Sequence, residues 1–275
     1  MFARVGTASA LIVTFLLAST QARAQGGGSD TFFKASDIGW ATGFSTAAYG
    51  LSRLDPAIAK YFQTPAHQKN SKMRKVAEAF THVQETTLTI GGLVTYGVAR
   101  LAGARDVEIV ALHATEAIVA SSLTSQVVRG PLGRARPKDA EPIFEDQYEF
   151  HWFDGFTHFQ YRAFPSIHSA AAFAAATAIV TETHYRSPRS TWYVAPIAFT
   201  IAAGPGYARM YLGQHWASDV FMGAFVGAFY GQRIVNYARV HPNNKVDHFF
   251  LGSATPGLSV VPSAGGLTVN YGVRF

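Results

Sequence analysis

The segment ARMYLGQHWASD, residues 208–219, places an arginine, a histidine and an aspartate in an otherwise apolar part of the chain. His215 and Asp219 are four residues apart, so both would share one face of a helix that starts near Gln214. A carboxylate on one imidazole nitrogen fixes the tautomer and leaves the other nitrogen to attack an electrophile. The segment therefore predicts a histidine nucleophile that is held by Asp219.

A set of arginines offers positive charge to an anionic substrate. The stretch RGPLGRARPKD carries Arg129, Arg134 and Arg136 among glycines and prolines, and such guanidinium groups can bind phosphate oxygens in bidentate fashion. Arg209 lies on a different face from the predicted nucleophile if the helix is continuous. A break near Gly213, which glycine permits, would bring Arg209 to the same site.

A second histidine stands at a predicted helix start, in the stretch RAFPSIHSA. Ser166 is a suitable N-cap, and His168 falls in the first turn. The free backbone N–H groups and the positive end of the helix dipole make such a start an anion site. Each cluster alone can be explained as a solvated turn or a helix cap. If all these polar side chains were buried without partners, each would destabilise the fold by several kcal/mol. Together they predict one phosphate-binding active site.

These clusters, in this order, resemble the three motifs of the type 2 phosphatidic acid phosphatase superfamily, which shares its core fold with vanadium haloperoxidases and bacterial class A acid phosphatases. The matching residues are Arg129-x6-Arg136-Pro137 for Lys-x6-Arg-Pro, Pro165-Ser166-Ile167-His168 for Pro-Ser-Gly-His, and Ala208-Arg209-x5-His215-x3-Asp219 for Ser-Arg-x5-His-x3-Asp. The helical pattern extends the resemblance to roughly residues 36–240.

The resemblance implies a metal-independent phosphatase that needs no cofactor and works through a phosphohistidine. His215 would be the nucleophile held by Asp219, and His168 would protonate the leaving oxygen and later activate water. The phosphate-binding residues that it implies are Arg129, Arg136, Arg209, Ser166 and Ile167. Apolar helices near the site favour a lipid phosphate, such as phosphatidate, phosphatidylglycerol phosphate or a polyprenyl diphosphate, over a soluble ester.

Three positions depart from the family pattern. Arg129 replaces a lysine and keeps the charge. Ile167 replaces a glycine, which retains a backbone N–H but adds bulk beside the site. Ala208 replaces a serine and removes a hydroxyl. Two alternatives stay open. One is a vanadate-dependent haloperoxidase, which would use the same oxyanion pocket, and the other is a catalytically weak structural protein of the cell envelope, to which Ile167 and Ala208 point.

The composition limits the classes of partner that the chain is expected to bind. The chain has 275 residues, a formal net charge of +6 and no cysteine, so it has neither disulfides nor thiolate metal sites. Positive charge favours an anionic partner. We reject nucleic acid, because the basic residues that can be placed converge on one site and form no stripe with interleaved aromatic residues. The expected partner is a phosphorylated lipid or a small phosphate ester.

The N-terminus resembles a secretory signal peptide. Residues 8–18 form an apolar run, and Ala-Arg-Ala at residues 22–24 is a suitable cleavage site. The alternative, an uncleaved anchor, is disfavoured because the run is short for a membrane span. We therefore expect an envelope protein whose active site faces the periplasm. Its bundle is predicted to be embedded in or associated with the membrane, with a soluble periplasmic form as the alternative.

The remaining pattern predicts an all-α bundle of five or six core helices. Longer helices are predicted at residues 85–103, 105–128, 166–185, 190–204 and 215–240. The predicted organisation is a signal peptide (1–24), a flexible start (25–35), a helical domain (36–249) and a tail (250–275). Of the apolar stretches, only 190–208 runs uncharged for the length of a membrane span.

Two further segments do not fit the helical pattern. Alternating residues after a Pro-Ser-Ala-Gly-Gly turn predict a β-hairpin in the tail that packs on the bundle. Residues 138–164 are rich in acidic and aromatic side chains and predict a long loop. Such a loop is either a lid over the substrate or a surface excursion whose aromatic residues pack on the bundle.

Overall fold

The structure is a computed structural model that describes residues 31–252, 257–263 and 266–272. The predicted signal peptide lies outside the described residues. The ten α-helices of residues 31–252 are α1 (Ala35–Ser52), α2 (Asp55–Gln63), α3 (Pro65–Gln68), α4 (Ser71–Thr81), α5 (Glu85–Leu101), α6 (Arg105–Leu132), α7 (Ile167–Arg186), α8 (Thr191–Tyr211), α9 (Ala217–Val240) and α10 (Lys245–Leu251). The predicted all-α class is confirmed for this region.

Helix α7 is the centre of the bundle and packs against α5, α6, α8 and α9. Its sequence IHSAAAFAAATAIV is rich in alanine, and small side chains let neighbouring helices approach closely. Two apolar clusters cover its sides. One joins Ala171 and Ala174 to α6 and α9, and the other joins Phe173 and Phe199 of α8.

A stripe of glycines on α9 allows its closest contact with α7. Gly223, Gly227 and Gly231 each face the α7 backbone or the residue before it, and a Cβ atom built on Gly227 would lie 2.1 Å from the carbonyl oxygen of Ala170. Only glycine fits such an approach. The stripe therefore fixes the start of α9 beside the start of α7, where the second and third motifs lie.

Several boundaries differ from the prediction. Helices α1, α3 and α10 were not predicted from the sequence pattern. Helix α8 continues from the predicted end at residue 204 through Pro205 to Tyr211, because a well-packed helix accommodates a proline when neighbouring contacts compensate. The predicted break is present, since Gly213 has a φ of 63°.

The tail contains two antiparallel strands, β1 (Gly257–Ser263) and β2 (Gly266–Gly272), with Gly257 opposite Gly272 and Ser263 opposite Gly266. The side chains of these strands lie outside the described part of the structure. Packing of the predicted hairpin on the bundle therefore stays a prediction.

Large apolar side chains cover part of the outer surface of the bundle. The exposed ones on α5, α6 and α8 are Ile90, Leu93, Val94, Val98, Leu101, Val107, Val119, Leu123, Val127, Trp192, Tyr193, Ile197 and Ile201. Among the described helices, α6 alone is long and apolar enough to span a membrane by length and composition, and half of its most apolar window is buried inside the bundle. The sequence had pointed to residues 190–208 instead.

The end of the bundle away from the three motifs carries its own buried polar network. Glu108 is 1% exposed and accepts hydrogen bonds from Arg100 (2.8 Å) and Arg105 (3.1 Å). Nearby, the ring nitrogens of His113 contact Glu182 of α7 and Asp247 of α10. These pairs attach α10 and the helix starts to the bundle.

Candidate active site

The three motifs meet at one end of the bundle because each lies at a helix end. Arg129 is in the last turn of α6, His168 in the first turn of α7, and Arg209 in the last turn of α8. His215 stands in the turn between α8 and α9, and Asp219 is in the first turn of α9. The fold thus brings together all three predicted clusters.

His215 is oriented by the backbone. Its side chain is buried, and its Nδ1 atom lies 2.7 Å from the carbonyl oxygen of Ala163. A carbonyl oxygen only accepts hydrogen bonds, so Nδ1 carries the proton and Nε2 carries the lone pair. Burial, together with the positive charge of Arg136, lowers the pKa of His215 well below its usual range. At neutral pH the ring is therefore neutral, with an unprotonated Nε2.

Asp219 does not hold His215 in the predicted way. The distance from its Oδ2 to His215 Nδ1 is 3.7 Å, which is too long for a hydrogen bond. Oδ2 instead accepts from the backbone N–H of Trp216 at 2.7 Å, and Oδ1 pairs with Arg134. The reason is that α9 begins at Ala217, so His215 precedes the helix instead of sharing its face. The carboxylate still acts on His215 as a nearby buried charge.

His168 is placed to supply a proton. Its Nε2 lies 2.6 Å from Nη2 of Arg209, and because a guanidinium only donates, Nε2 is the acceptor and Nδ1 carries the proton. That Nδ1 is buried and has no hydrogen-bond partner among the described residues. The ring centroids of His168 and His215 are 6.2 Å apart. An atom between the two rings could be reached by both.

Three of the predicted arginines lie near His215, since the positive charges of Arg136, Arg209 and Arg129 each lower its pKa. Arg136 is fixed by a hydrogen bond to Gln214, by another to the Phe159 carbonyl at 3.1 Å, and by the Phe159 ring 3.8 Å from its guanidinium carbon. Burial first, and the charge of Arg129 next, lower the pKa of Arg136 to about 10. It therefore remains charged at neutral pH.

The two remaining motif positions have mainly structural contacts. Ser166 is the N-cap of α7, where its Oγ accepts from the Ser169 hydroxyl at 3.2 Å. Its N–H donates to the Asp219 carbonyl at 3.0 Å, which joins the starts of α7 and α9. Ile167 buries its side chain and contributes a first-turn N–H, a group that has no acceptor within its own helix. Ala208 packs in an apolar cluster with Tyr211, so a hydroxyl is not needed there.

Residues 110–241 match the family model described as the PAP2 superfamily. This part of the chain is that of a PAP2 superfamily member. The matched region contains all three motifs and helices α7 to α9. The candidate site residues from Arg129 to Asp219 all lie in the matched region.

Two known proteins are similar to parts of the chain. A stretch of 70 residues is 43% identical to the lipid A 1-phosphatase of Porphyromonas gingivalis, and this stretch covers 26% of the chain but only 15% of that protein. The crystal structure of a transmembrane PAP2 type phosphatidylglycerolphosphate phosphatase from Bacillus subtilis aligns with 72% of the chain and 98% of its own, with 20% identity and a TM-score of 0.39.

Three residues outside the PAP2 motif positions also belong to the site. Glu85, at the start of α5, places Oε2 3.9 Å from Nε2 of His168. Asp55 and Arg134 form a buried ion pair behind Asp219. In the sequence, Glu85 and Asp55 are recognisable only as acidic residues at helix starts, which is a common capping feature. Arg134 is recognisable only as a further arginine within the first-motif stretch.

The loop 138–164 forms one wall of the PAP2 site. Its backbone is bonded to the first-motif stretch, from Arg136 N–H to the Gln160 carbonyl (3.0 Å) and from Ala163 N–H to the Arg134 carbonyl (3.1 Å). It supplies the Ala163 carbonyl that orients His215. Its outer side exposes large aromatic side chains, namely Phe150, Trp152, Phe153, Phe156 and Phe159. The loop is therefore part of the site and also carries an apolar surface.

Proposed function

We propose that the protein is a phosphatase that hydrolyses phosphate monoesters of lipids through a phosphohistidine on His215, without a metal ion. The observation that carries this proposal is the pairing of tautomers. His215 presents an unprotonated Nε2, while His168 presents a protonated Nδ1, and three arginines surround the pair. One ring is thus prepared to attack phosphorus and the other to protonate the leaving group.

In the first step the Nε2 lone pair of His215 forms a bond to phosphorus as the bond to the ester oxygen breaks. Burial and the charge of Arg209 lower the pKa of His168 in the free protein to about 2. A bound phosphate dianion opposes the arginine charge and favours the imidazolium form of His168, and the leaving oxygen takes the Nδ1 proton of that imidazolium. In the second step His168, now lacking that proton, accepts one from water. The water oxygen attacks phosphorus and releases phosphate and neutral His215. Each step leaves atoms and charge balanced.

The surrounding groups stabilise the charge that moves in these steps. Arg129, Arg136 and Arg209 neutralise the phosphoryl oxygens, and the first-turn N–H groups of α7 add hydrogen bonds. The phosphohistidine ring carries more positive charge than the free ring. The buried carboxylate of Asp219, 3.7 Å away, favours that state.

A lipid substrate is favoured by the surface beside the site. Trp152, Phe153, Phe156 and Phe159 expose aromatic rings on the loop that walls the site, and exposed apolar patches of this kind mark interaction surfaces. Tryptophan is also enriched at membrane interfaces. The named activity of the P. gingivalis relative agrees with a phosphorylated lipid. We infer that the apolar faces of α5, α6 and α8 contact a membrane and that the site opens on its periplasmic side.

The test is phosphate release by the purified protein in EDTA, from phosphatidate in mixed micelles and from para-nitrophenyl phosphate. We expect release that is insensitive to EDTA, absent in His215→Asn, and faster with the lipid. Loss of wild-type activity in EDTA would overturn the metal-independent mechanism. If the wild type releases no phosphate but oxidises bromide after vanadate loading, the haloperoxidase alternative is favoured instead.

A further inference from the structure

Asp55 is a fully buried carboxylate that lies outside the region matched by the family. It is the first residue of α2 and is 0% exposed. The pattern Asp-Pro predicts that Asp55 caps its own helix, but Leu54 is the N-cap and the carboxylate points to α9 instead. There Oδ1 accepts from the N–H of Ser218 at 2.9 Å, and Oδ2 accepts from the Ser218 hydroxyl.

Arg134 joins Asp55 to Asp219. This arginine is 3% exposed, and each of its three guanidinium nitrogens donates at least one hydrogen bond. Nη2 donates to Asp55 Oδ2 at 2.9 Å, Nη1 donates to Asp219 Oδ1 and to the Ser218 hydroxyl, and Nε donates to the Gln147 carbonyl at 2.9 Å. Arg134 is thus too occupied to bind substrate, unlike the other arginines of the first-motif stretch.

The net charge of Asp55, Arg134 and Asp219 sets the electrostatic field that acts on His215. Burial raises the pKa of both Asp55 and Asp219, and the charge of Arg134 opposes this rise. With both carboxylates ionised, they contribute two negative charges and Arg134 one positive charge, which leaves one net negative charge behind His215. Without the charge of Asp55, Arg134 and Asp219 would form a neutral pair. A neutral pair would stabilise a positively charged His215 ring much less, because buried charges are weakly screened.

We propose that Asp55 is a positioning residue for phosphoryl transfer, which acts through Arg134 and Ser218 to hold the start of α9 and to keep one net negative charge behind His215. This inference rests on the proposed function. It assigns a role in the reaction to α2, far along the chain from the motifs. Asp55 itself touches neither His215 nor the arginines that surround it.

The first test separates charge from shape with Asp55→Asn. The amide keeps the size of the side chain and an acceptor for the Ser218 N–H, but it removes the charge. We expect kcat to fall about tenfold, whereas KM and inhibition by inorganic phosphate stay unchanged because Arg129, Arg136 and Arg209 are untouched. An increase in KM with a normal kcat would overturn the proposal.

A charge-restoring double variant makes the test sharper. Asp55→Asn with Arg134→Gln removes one charge of each sign and leaves Asp219 as the single negative charge behind His215. We expect the double variant to have a higher kcat than Asp55→Asn alone, although it has lost more hydrogen bonds. A purely structural role predicts the opposite order, so a double variant that is slower than Asp55→Asn would contradict the proposal.

The matched control is Glu108→Gln. Like Asp55, Glu108 is a buried carboxylate that pairs with arginine. Its partners are Arg100 and Arg105, and it lies at the opposite end of the bundle. We expect a lower melting temperature with an unchanged kcat per folded molecule. If wild-type protein releases no phosphate, the proposed function fails and this inference with it. If the wild type is active and Asp55→Asn matches it, only the inference fails.

Discussion

The Nδ1 atom of His215 lies 2.7 Å from the carbonyl oxygen of Ala163. The backbone of the aromatic loop thus sets the tautomer of the proposed nucleophile, and Asp219 acts on it from 3.7 Å as a charge. Loop and nucleophile are therefore coupled. A side chain can be replaced to remove a charge, but the carbonyl that orients the ring remains in every variant.

Asp219→Asn is therefore expected to retain measurable activity. The Ala163 carbonyl still holds His215 in the reactive tautomer, while the lost charge slows formation of the phosphohistidine. We expect phosphate release at least about tenfold above that of His215→Asn, measured on protein whose helicity and melting temperature show that it is folded. Equal inactivity of the two variants would mean that Asp219, and not the backbone, sets the tautomer.

The charge state of His215 makes a prediction about stability and pH. Because the folded protein lowers the pKa of His215, its contribution to stability is present above the unfolded pKa of about 6.5 and is lost as pH falls below that value. His215→Gln lacks this contribution. We expect the melting temperature of His215→Gln to rise relative to wild type as the pH is lowered from about 7.5 to about 5. Parallel melting curves would show that His215 is not held neutral.

The close contact between α7 and α9 is tested by adding a methyl group. Gly227→Ala would place a Cβ atom 2.1 Å from the Ala170 carbonyl oxygen, so the helices must move apart. We expect a loss of about 1–3 kcal/mol in the free energy of unfolding, together with lower kcat as the helix starts separate. The control is Gly91→Ala on α5, where the added Cβ atom meets nothing within 4 Å. Equal effects of both substitutions would contradict the packing argument.

The aromatic surface of the loop is tested by comparing two substrates. Trp152→Ser combined with Phe153→Ser removes two rings that are 65% and 66% exposed. We expect about a tenfold loss of kcat/KM with phosphatidate vesicles, and little change with para-nitrophenyl phosphate. Phe249→Ser on α10 removes a ring that is 78% exposed at the other end of the bundle and should change neither rate. Equal losses on both substrates would mean that the loop serves the chemistry alone.

The sequence predicted the parts of the site that depend on short spacing. Proline, a serine cap and glycine mark the helix ends in the sequence. These ends carry Arg129, His168, Arg209 and His215, and the bundle brings them together. The glycine at position 213 adopts the positive φ that the predicted break requires.

What the sequence did not predict depends on contacts between distant segments. The hydrogen bond from His215 to Ala163 joins residues 52 positions apart, and the contact between Ser218 and Asp55 joins residues 163 positions apart. A local pattern assigns Asp55 to capping, because that is the common use of aspartate before proline. Only packing of α2 against the start of α9 gives it another partner.

The most direct test of the central claim is to detect the covalent intermediate. His168→Ala treated with para-nitrophenyl phosphate should accumulate phosphoenzyme, because this leaving group needs no proton whereas hydrolysis of phosphohistidine lacks its base. Mass spectrometry should find the phosphoryl group on the peptide that contains His215, stable in alkali and lost in acid, and it should be absent when His215→Asn is added. A phosphoryl group on another residue, or turnover without any phosphoenzyme, would contradict the account.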